Sequence, residues 1–215
     1  MGPAPDPGNG TQSHAPVHAG RALPVASPLS NVYLIGPMGS GKTTIGQRVA
    51  RRLGLEFHDC DHELELQTGA SVSLIFDVEG ETGFRERETR MLEQLTQRRN
   101  VLVATGGGVV LSKRNRELLR RNGLVVYMST SVAKQLRRLS RDRTRPLLQT
   151  GDRKAKLARL AAQRNPLYEE LADIEFPSQN RGLDAAAQAL TDLIRAYWNQ
   201  RDTPAEPESI QQATD

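Results

Sequence analysis

The chain holds a single cysteine, Cys60, in 215 residues. No internal disulfide can form, so packing and hydrogen bonds must hold the fold, and the usage fits a reducing compartment, the cytoplasm. No apolar run nears the roughly 18 residues of a membrane span, which speaks against a membrane partner. Aromatic residues are scarce, at 4%. Single-stranded nucleic-acid grooves interleave aromatics with basic side chains, and the net charge of +4 is spread along the chain instead of gathered on one face, so no nucleic-acid partner is expected. Lysine is scarce too: five lysines leave 24 of the 29 basic residues as arginine. Arginine suits two-pronged contacts to phosphate and carboxylate, although a coding bias gives the same count. The remainder, 37% hydrophobic and 25% charged, is the make-up of one globular domain with one substantial core.

Residues 1–30 are rich in Pro, Gly, Ala and Ser with no structural period, and are expected to form a disordered N-terminal extension. They lack the basic start and apolar stretch of a secretory signal, and Asp6 with a lone Arg21 fits a transit peptide poorly. Residues 199–215 read as a flexible tail. Between them "NVYLIG" (31–36), "LEFHD" (55–59), "VLVATG" (101–106), "LVVYMS" (124–129) and "DIEFPS" (173–178) read as strands. Helical periodicity fills the gaps in "KTTIGQRVARRLG", "ETRMLEQLTQRR", "VAKQLRRLSR", "AKLARLAAQR" and "LDAAAQALTDLIRAYW". This alternation predicts an α/β fold, a three-layer αβα arrangement around a five-stranded parallel sheet. Such sheets take ligands at the carboxyl ends of their strands.

"GPMGSGKT", Gly36 to Thr43, matches the phosphate-binding pattern G-x-x-x-x-G-K-[ST], after an apolar strand and before an amphipathic helix. Its glycines let successive N–H groups face phosphate oxygens at a helix N-terminus. Lys42 is then expected to reach the β- and γ-phosphates, and the Thr43 hydroxyl to ligate Mg²⁺. The pattern calls for a nucleotide but does not name the group that receives a phosphoryl.

For that side there are five candidate segments. "FHDCDHE" (57–63) offers either a His58/Cys60/His62 metal cluster or the carboxylates Asp59 and Asp61. Extended as a strand, it puts Phe57, Asp59 and Asp61 on one face and the other three on the opposite one. Alternate strand residues sit about 7 Å apart, awkward for one metal shell. A solvated Asp-rich turn explains the carboxylates equally. In "GETGFRERE" (80–88), Arg85 and Glu88 stand at i, i+3 and can pair, holding a guanidinium for a carboxylate or forming a plain surface ion pair. "TGGGVV" (105–110) ends a strand on Gly106, Gly107 and Gly108, which suits a ligand pressed against the backbone. "RRLSRDRTRPLL" (137–148) has the character of an arginine-rich lid over phosphates or of a solvated basic loop, and "QRNPLY" (163–168) places Arg164 before a proline.

Taken in order, "GPMGSGKTTIG", the Asp-x-Asp of "FHDCD", "GFRERE", "TGGG", "RPLL" and "RNPLY" resemble shikimate kinases, in the nucleoside monophosphate kinase-like group of P-loop kinases. The resemblance covers about residues 31–198. It implies that fold with a mobile lid at about 139–153, and ATP-dependent phosphorylation of the shikimate 3-hydroxyl with Mg²⁺, toward chorismate and the aromatic amino acids. It places shikimate on Asp61, Arg85, Gly106, Gly107, Gly108 and Arg164. ATP falls on Gly39, Ser40, Gly41, Lys42, Thr43 and Thr44, with Arg138 and Arg181 toward the adenine. Lys42, Asp61 and Arg145 become the catalytic group, and Asp59 helps order Mg²⁺ through water. His58, Cys60 and His62 become bystanders, and the family's habit implies a monomer. Gluconate or nucleoside monophosphate kinases of the same fold, and a nucleotide-dependent regulatory or nucleic-acid-binding module, are the rival readings. Arg85 with Arg164 favours a carboxylate acceptor and Asp61 a polyol, whereas a nucleotide acceptor would want base-reading contacts that the sequence does not offer.

Overall fold

The computed structural model describes residues 31–140, 152–178 and 182–202. Five parallel strands form one sheet in the order β2-β3-β1-β4-β5: β1 (Val32–Ile35), β2 (Glu56–Asp59), β3 (Val101–Ala104), β4 (Leu124–Ser129) and β5 (Ile174–Pro177). The three inner strands are apolar runs almost fully buried on both faces, as helices above and below a parallel sheet require.

Alternation along β1 divides the core. Val32 and Leu34 pack with α1 (Lys42–Leu53) and α7 (Leu183–Asp202). Tyr33 and Ile35 pack on the other face with α3 (Val72–Thr96), α4 (Lys113–Asn122) and α6 (Arg153–Leu171). Two short helices complete the set, α2 (Cys60–Thr68) and α5 (Val132–Leu139). The expected strands and αβα layers are present.

Two elements depart from the strand-by-strand reading. β2 stops at Asp59, whose carboxylate accepts hydrogen bonds from the amides of Asp61 and His62 and so caps α2. An Asp with extended backbone is a strong helix initiator, so the chain turns before alternation can sort residues 60–62. Cys60 is buried in the core, whereas His62 joins Asp59 and Asp61 on the cleft side. α3 bends at Gly80, whose φ of 70° and ψ of −176° break the helix, giving two limbs at an angle. Arg145, Arg181, residues 1–30, most of the expected lid and most of the expected tail lie outside the described residues.

Candidate active site

The loop between β1 and α1 is built around glycine. Gly36 has φ of 135°, and a Cβ there would fall 2.6 Å from the Met128 carbonyl oxygen of β4. Gly41 precedes α1 without supplying a side-chain acceptor, so the first amides of the helix face the cleft as an anion site. Lys42 folds its ammonium over the loop, donating to the carbonyls of Gly36 at 2.8 Å and Pro37 at 2.9 Å.

Asp59 joins this loop to α2. Its Oδ2 accepts from the Thr43 hydroxyl at 2.6 Å, while Oδ1 accepts from the amides of Asp61 at 3.1 Å and His62 at 3.4 Å. Asp61, the second residue of α2, lies beside Gly106: a Cβ on that glycine would sit 3.3 Å from Asp61 Oδ1.

The second limb of α3 supplies Arg85. Its Nη1 donates to Glu88 Oε2 at 2.8 Å and its Nη2 to Glu81 Oε1 at 3.1 Å. Glu88 is 3% exposed, and its Oε1 has no hydrogen-bond partner among the described residues. Burial pushes the Glu88 carboxyl above its usual range against the pull of Arg85, with Asp61 adding to the rise. Burial also depresses the Arg85 guanidinium, but Glu88 and Glu81 outweigh it and the net shift is upward. The fork is thus charged and anchored on two carboxylates.

The triple glycine after β3 has a structural cause that its sequence does not announce. None of the three adopts positive φ. A Cβ on Gly106 would collide with Glu88 Oε1, and one on Gly108 with the Arg85 guanidinium, whereas at Gly107 it would make ordinary contacts, with Gly36 O and Met38 N at 3.5 Å. Two of the glycines therefore make room for the Arg85–Glu88 pair.

The Gly107 carbonyl accepts from Arg164 Nη1 at 3.1 Å and from the Tyr168 hydroxyl. These donors stand at i, i+4 on α6 and share a face. Tyr168 is fully buried, stacked on Tyr127 at 5.0 Å between ring centroids. Arg164 is 5% exposed and its Nε has no partner among the described residues. Burial, with Arg85 nearby, pulls its pKa down. Two arginines thus present positive charge at one end of the cleft.

These groups surround one cleft of about 930 Å³ at the carboxyl ends of β1, β2 and β3. It brings together Gly39, Gly41, Lys42, Thr43, Thr44, Asp59, Asp61, Arg85, Gly106, Gly107, Gly108 and Arg164. Two expected residues do not line it. Ser40 is buried at 1% exposure. Arg138 donates instead to Gly39 O at 2.8 Å and to Ser178 Oγ at 2.8 Å. Sequence reasoning did not find Glu81 or Tyr168, although the i, i+4 spacings Glu81/Arg85 and Arg164/Tyr168 carry both signals.

Comparison with known proteins agrees with this geometry. The sequence profile described as shikimate kinase matches residues 38–195. The shikimate kinase of Actinobacillus succinogenes is 52% identical over 165 residues, covering 76% of this chain and 94% of the relative. That of Pasteurella multocida is 51% identical over 165 residues, covering 76% and 94%. The structure of Acinetobacter baumannii shikimate kinase in complex with shikimate superposes with a TM-score of 0.76 at 47% identity, covering 79% of this chain and 94% of that one. A family match over most of the chain, the P-loop kinase fold and relatives at about half identity lead to one assignment: the chain belongs to the shikimate kinase family.

Proposed function

We propose that this chain performs its family's reaction, transfer of the γ-phosphoryl of ATP to the 3-hydroxyl of shikimate, giving shikimate 3-phosphate and ADP, with the division of labour that follows. The observation that carries it is the convergence of a phosphate loop, a carboxylate and two arginines, the buried Arg164 and the half-buried Arg85, on one cleft.

ATP lays its phosphates along Gly39–Thr44, and Lys42 turns from its loop carbonyls toward the β- and γ-phosphates. Arg138, bracketed between the loop and Ser178, flanks the adenine, a role in which Arg181 is proposed to assist. Shikimate directs its carboxylate to Arg85 and Arg164, while Gly106, Gly107 and Gly108 form the floor. Asp61 accepts the hydrogen bond of the 3-hydroxyl, aims its oxygen at the γ-phosphorus and takes up the proton as the new P–O bond forms and the bond to ADP breaks. Such transfers depend on positioning and charge neutralisation, and Lys42 and Arg145 supply the protein's part of the latter.

The site fits Mg²⁺. Thr43 Oγ1 and Asp59 Oδ2 present two hard oxygens 2.6 Å apart at the head of α1. Among the described residues no three His, Cys, Asp or Glu side chains gather to hold a metal, and Mg²⁺ usually takes few protein ligands with waters and phosphates completing its shell. Thr43 would hold the ion directly and Asp59 through water, and when bound it neutralises phosphate charge.

The chain is further taken to work as a cytoplasmic monomer, a state that sedimentation checks. Among the described residues no helix is long and apolar enough to cross a membrane. Asp61→Asn tests the assignment: kcat should fall by about 10²- to 10⁴-fold, the usual contribution of a positioned base, with the Kd for ATP unchanged. Full activity in Asp61→Asn would overturn the role given to Asp61.

A further inference from the structure

The sequence leaves His58 without a task, yet in the fold it is neither exposed nor idle. It is 5% exposed on β2, the strand at the sheet edge, and its Nδ1 lies 2.7 Å from Glu63 Oε1. Around α2 these positions have a definite meaning. Asp59 is the N-cap, so His58 immediately precedes the cap and Glu63 is the fourth helical residue. In many helices this pair of positions carries a hydrophobic staple that fixes the angle at which the chain enters the helix. Here the staple is a hydrogen bond.

The ring's far side identifies the donor. Arg98 Nη1 lies 3.0 Å from Nε2, and Glu56 Oε1 also lies 3.0 Å from it. A guanidinium only donates, so with Arg98 engaged Nε2 is bare and the proton sits on Nδ1. In that arrangement Nδ1–H donates to the Glu63 carboxylate. Arg98 follows α3, so the ring is braced from a second element while it grips α2.

We propose that His58 is a positioning residue for Asp61, acting through Glu63. The Asp59 cap ties the amides of residues 61 and 62 at one point; Cys60 and Leu64 pack α2 into the core, but apolar packing is non-directional, and a first turn with one directional anchor can still pivot. The His58–Glu63 bond is the second point. Asp61 lies between the two anchors in sequence, and fixing both sets the direction of its carboxylate beside Gly106. The inference rests on the reading of Asp61 as the group that orients the acceptor hydroxyl.

The test uses the full chain with shikimate, ATP and Mg²⁺, in the variants His58→Asn, His58→Gln, Glu63→Ala and Asp61→Asn. Asn keeps an amide donor near the Nδ1 position, whereas Gln projects its donor toward the Nε2 position. Glu63 is only partly buried, with 25% side-chain exposure, so Glu63→Ala removes the acceptor without opening the core. A displacement approaching an ångström at a reacting group costs up to about 10²-fold, and a partial pivot should lower kcat about tenfold in Glu63→Ala and His58→Gln. The KM for ATP should hold, His58→Asn should recover most of the rate, and Glu63→Ala should cost nothing further in an Asp61→Asn background. A wild-type kcat in Glu63→Ala, with Asp61→Asn impaired, overturns the positioning role and leaves the site reading standing. So does a His58→Asn protein no better than His58→Gln. A fully active Asp61→Asn overturns the site reading itself.

Discussion

Replacing Gly108 with alanine should injure shikimate binding without touching ATP. The added methyl would enter the Arg85 guanidinium at well under 3.0 Å, whereas ordinary contact begins near 3.4 Å. The nearest atoms it meets all belong to the Arg85 side chain, so that side chain must yield, by about an ångström. It yields against anchors: the 2.8 Å bond to Glu88 and the 3.1 Å bond to Glu81 hold it where the acceptor carboxylate is read. Losing a well-placed charge-assisted contact costs about 1.5–3 kcal/mol, and each 1.4 kcal/mol is about tenfold. The KM for shikimate should therefore rise by about 10- to 150-fold. An arginine binding the carboxylate equally before and during transfer changes KM more than kcat. Gly107→Ala is the comparison: its methyl meets only ordinary protein contacts and leaves the Arg85 fork in place, so its cost to shikimate KM, through the floor it lines, should be several-fold smaller than that of Gly108→Ala. Steady-state ADP release, titrated separately with shikimate and ATP, reads both. A wild-type shikimate KM in Gly108→Ala, or equal damage in Gly107→Ala, would refute the claim that the outer glycines exist to house the Arg85–Glu88 pair.

The remaining expectations concern the groups that hold the site together. Glu88 has its folded pKa raised from an ordinary value of 4.5, so it binds its proton more tightly folded than unfolded. Its contribution to stability is complete below about pH 4.5 and is lost as pH rises through the higher folded value. The stability of wild type relative to Glu88→Gln should then decline from pH 4 toward neutrality in urea unfolding, and a rising difference would contradict this. Asp59→Ala removes the cap of α2, worth about 1 kcal/mol, and should lower Tm by about 2–4 °C in a domain of this size. Because it also frees the Thr43 hydroxyl, the same variant should raise the KM for MgATP; an unchanged Tm would show that the cap is dispensable.

The sheet was legible because buried parallel strands are written as apolar runs. "LVVYMS" gives β4 at Leu124–Ser129 without adjustment. The phosphate loop was equally plain, since its chemistry depends on glycines and a lysine at fixed spacing. α4 was not found: "KRNRELLRRN" buries only Asn115 and Leu119, too little for a period to stand out. α2 was hidden because Asp59 reads both as a strand end and as a helix cap, and only the local hydrogen bonds decide between them. That choice moved His62 to the cleft side. It also turned His58 from an apparent bystander into one end of a staple.

Site geometry depended on pairs distant in sequence. Tyr168 and Gly107, 61 residues apart, meet at a carbonyl, and no local pattern predicts that. The triple glycine was read as room for a ligand. Room for Arg85 and Glu88 is a packing requirement that only the assembled fold reveals.

The central claim is the choice of acceptor, and the most direct measurement is ADP release with MgATP across shikimate, gluconate and nucleoside monophosphates, with the product identified by NMR. Turnover should require shikimate and place the new phosphate on the 3-hydroxyl. Release that ignores shikimate, or that follows gluconate or a nucleotide instead, would contradict the account.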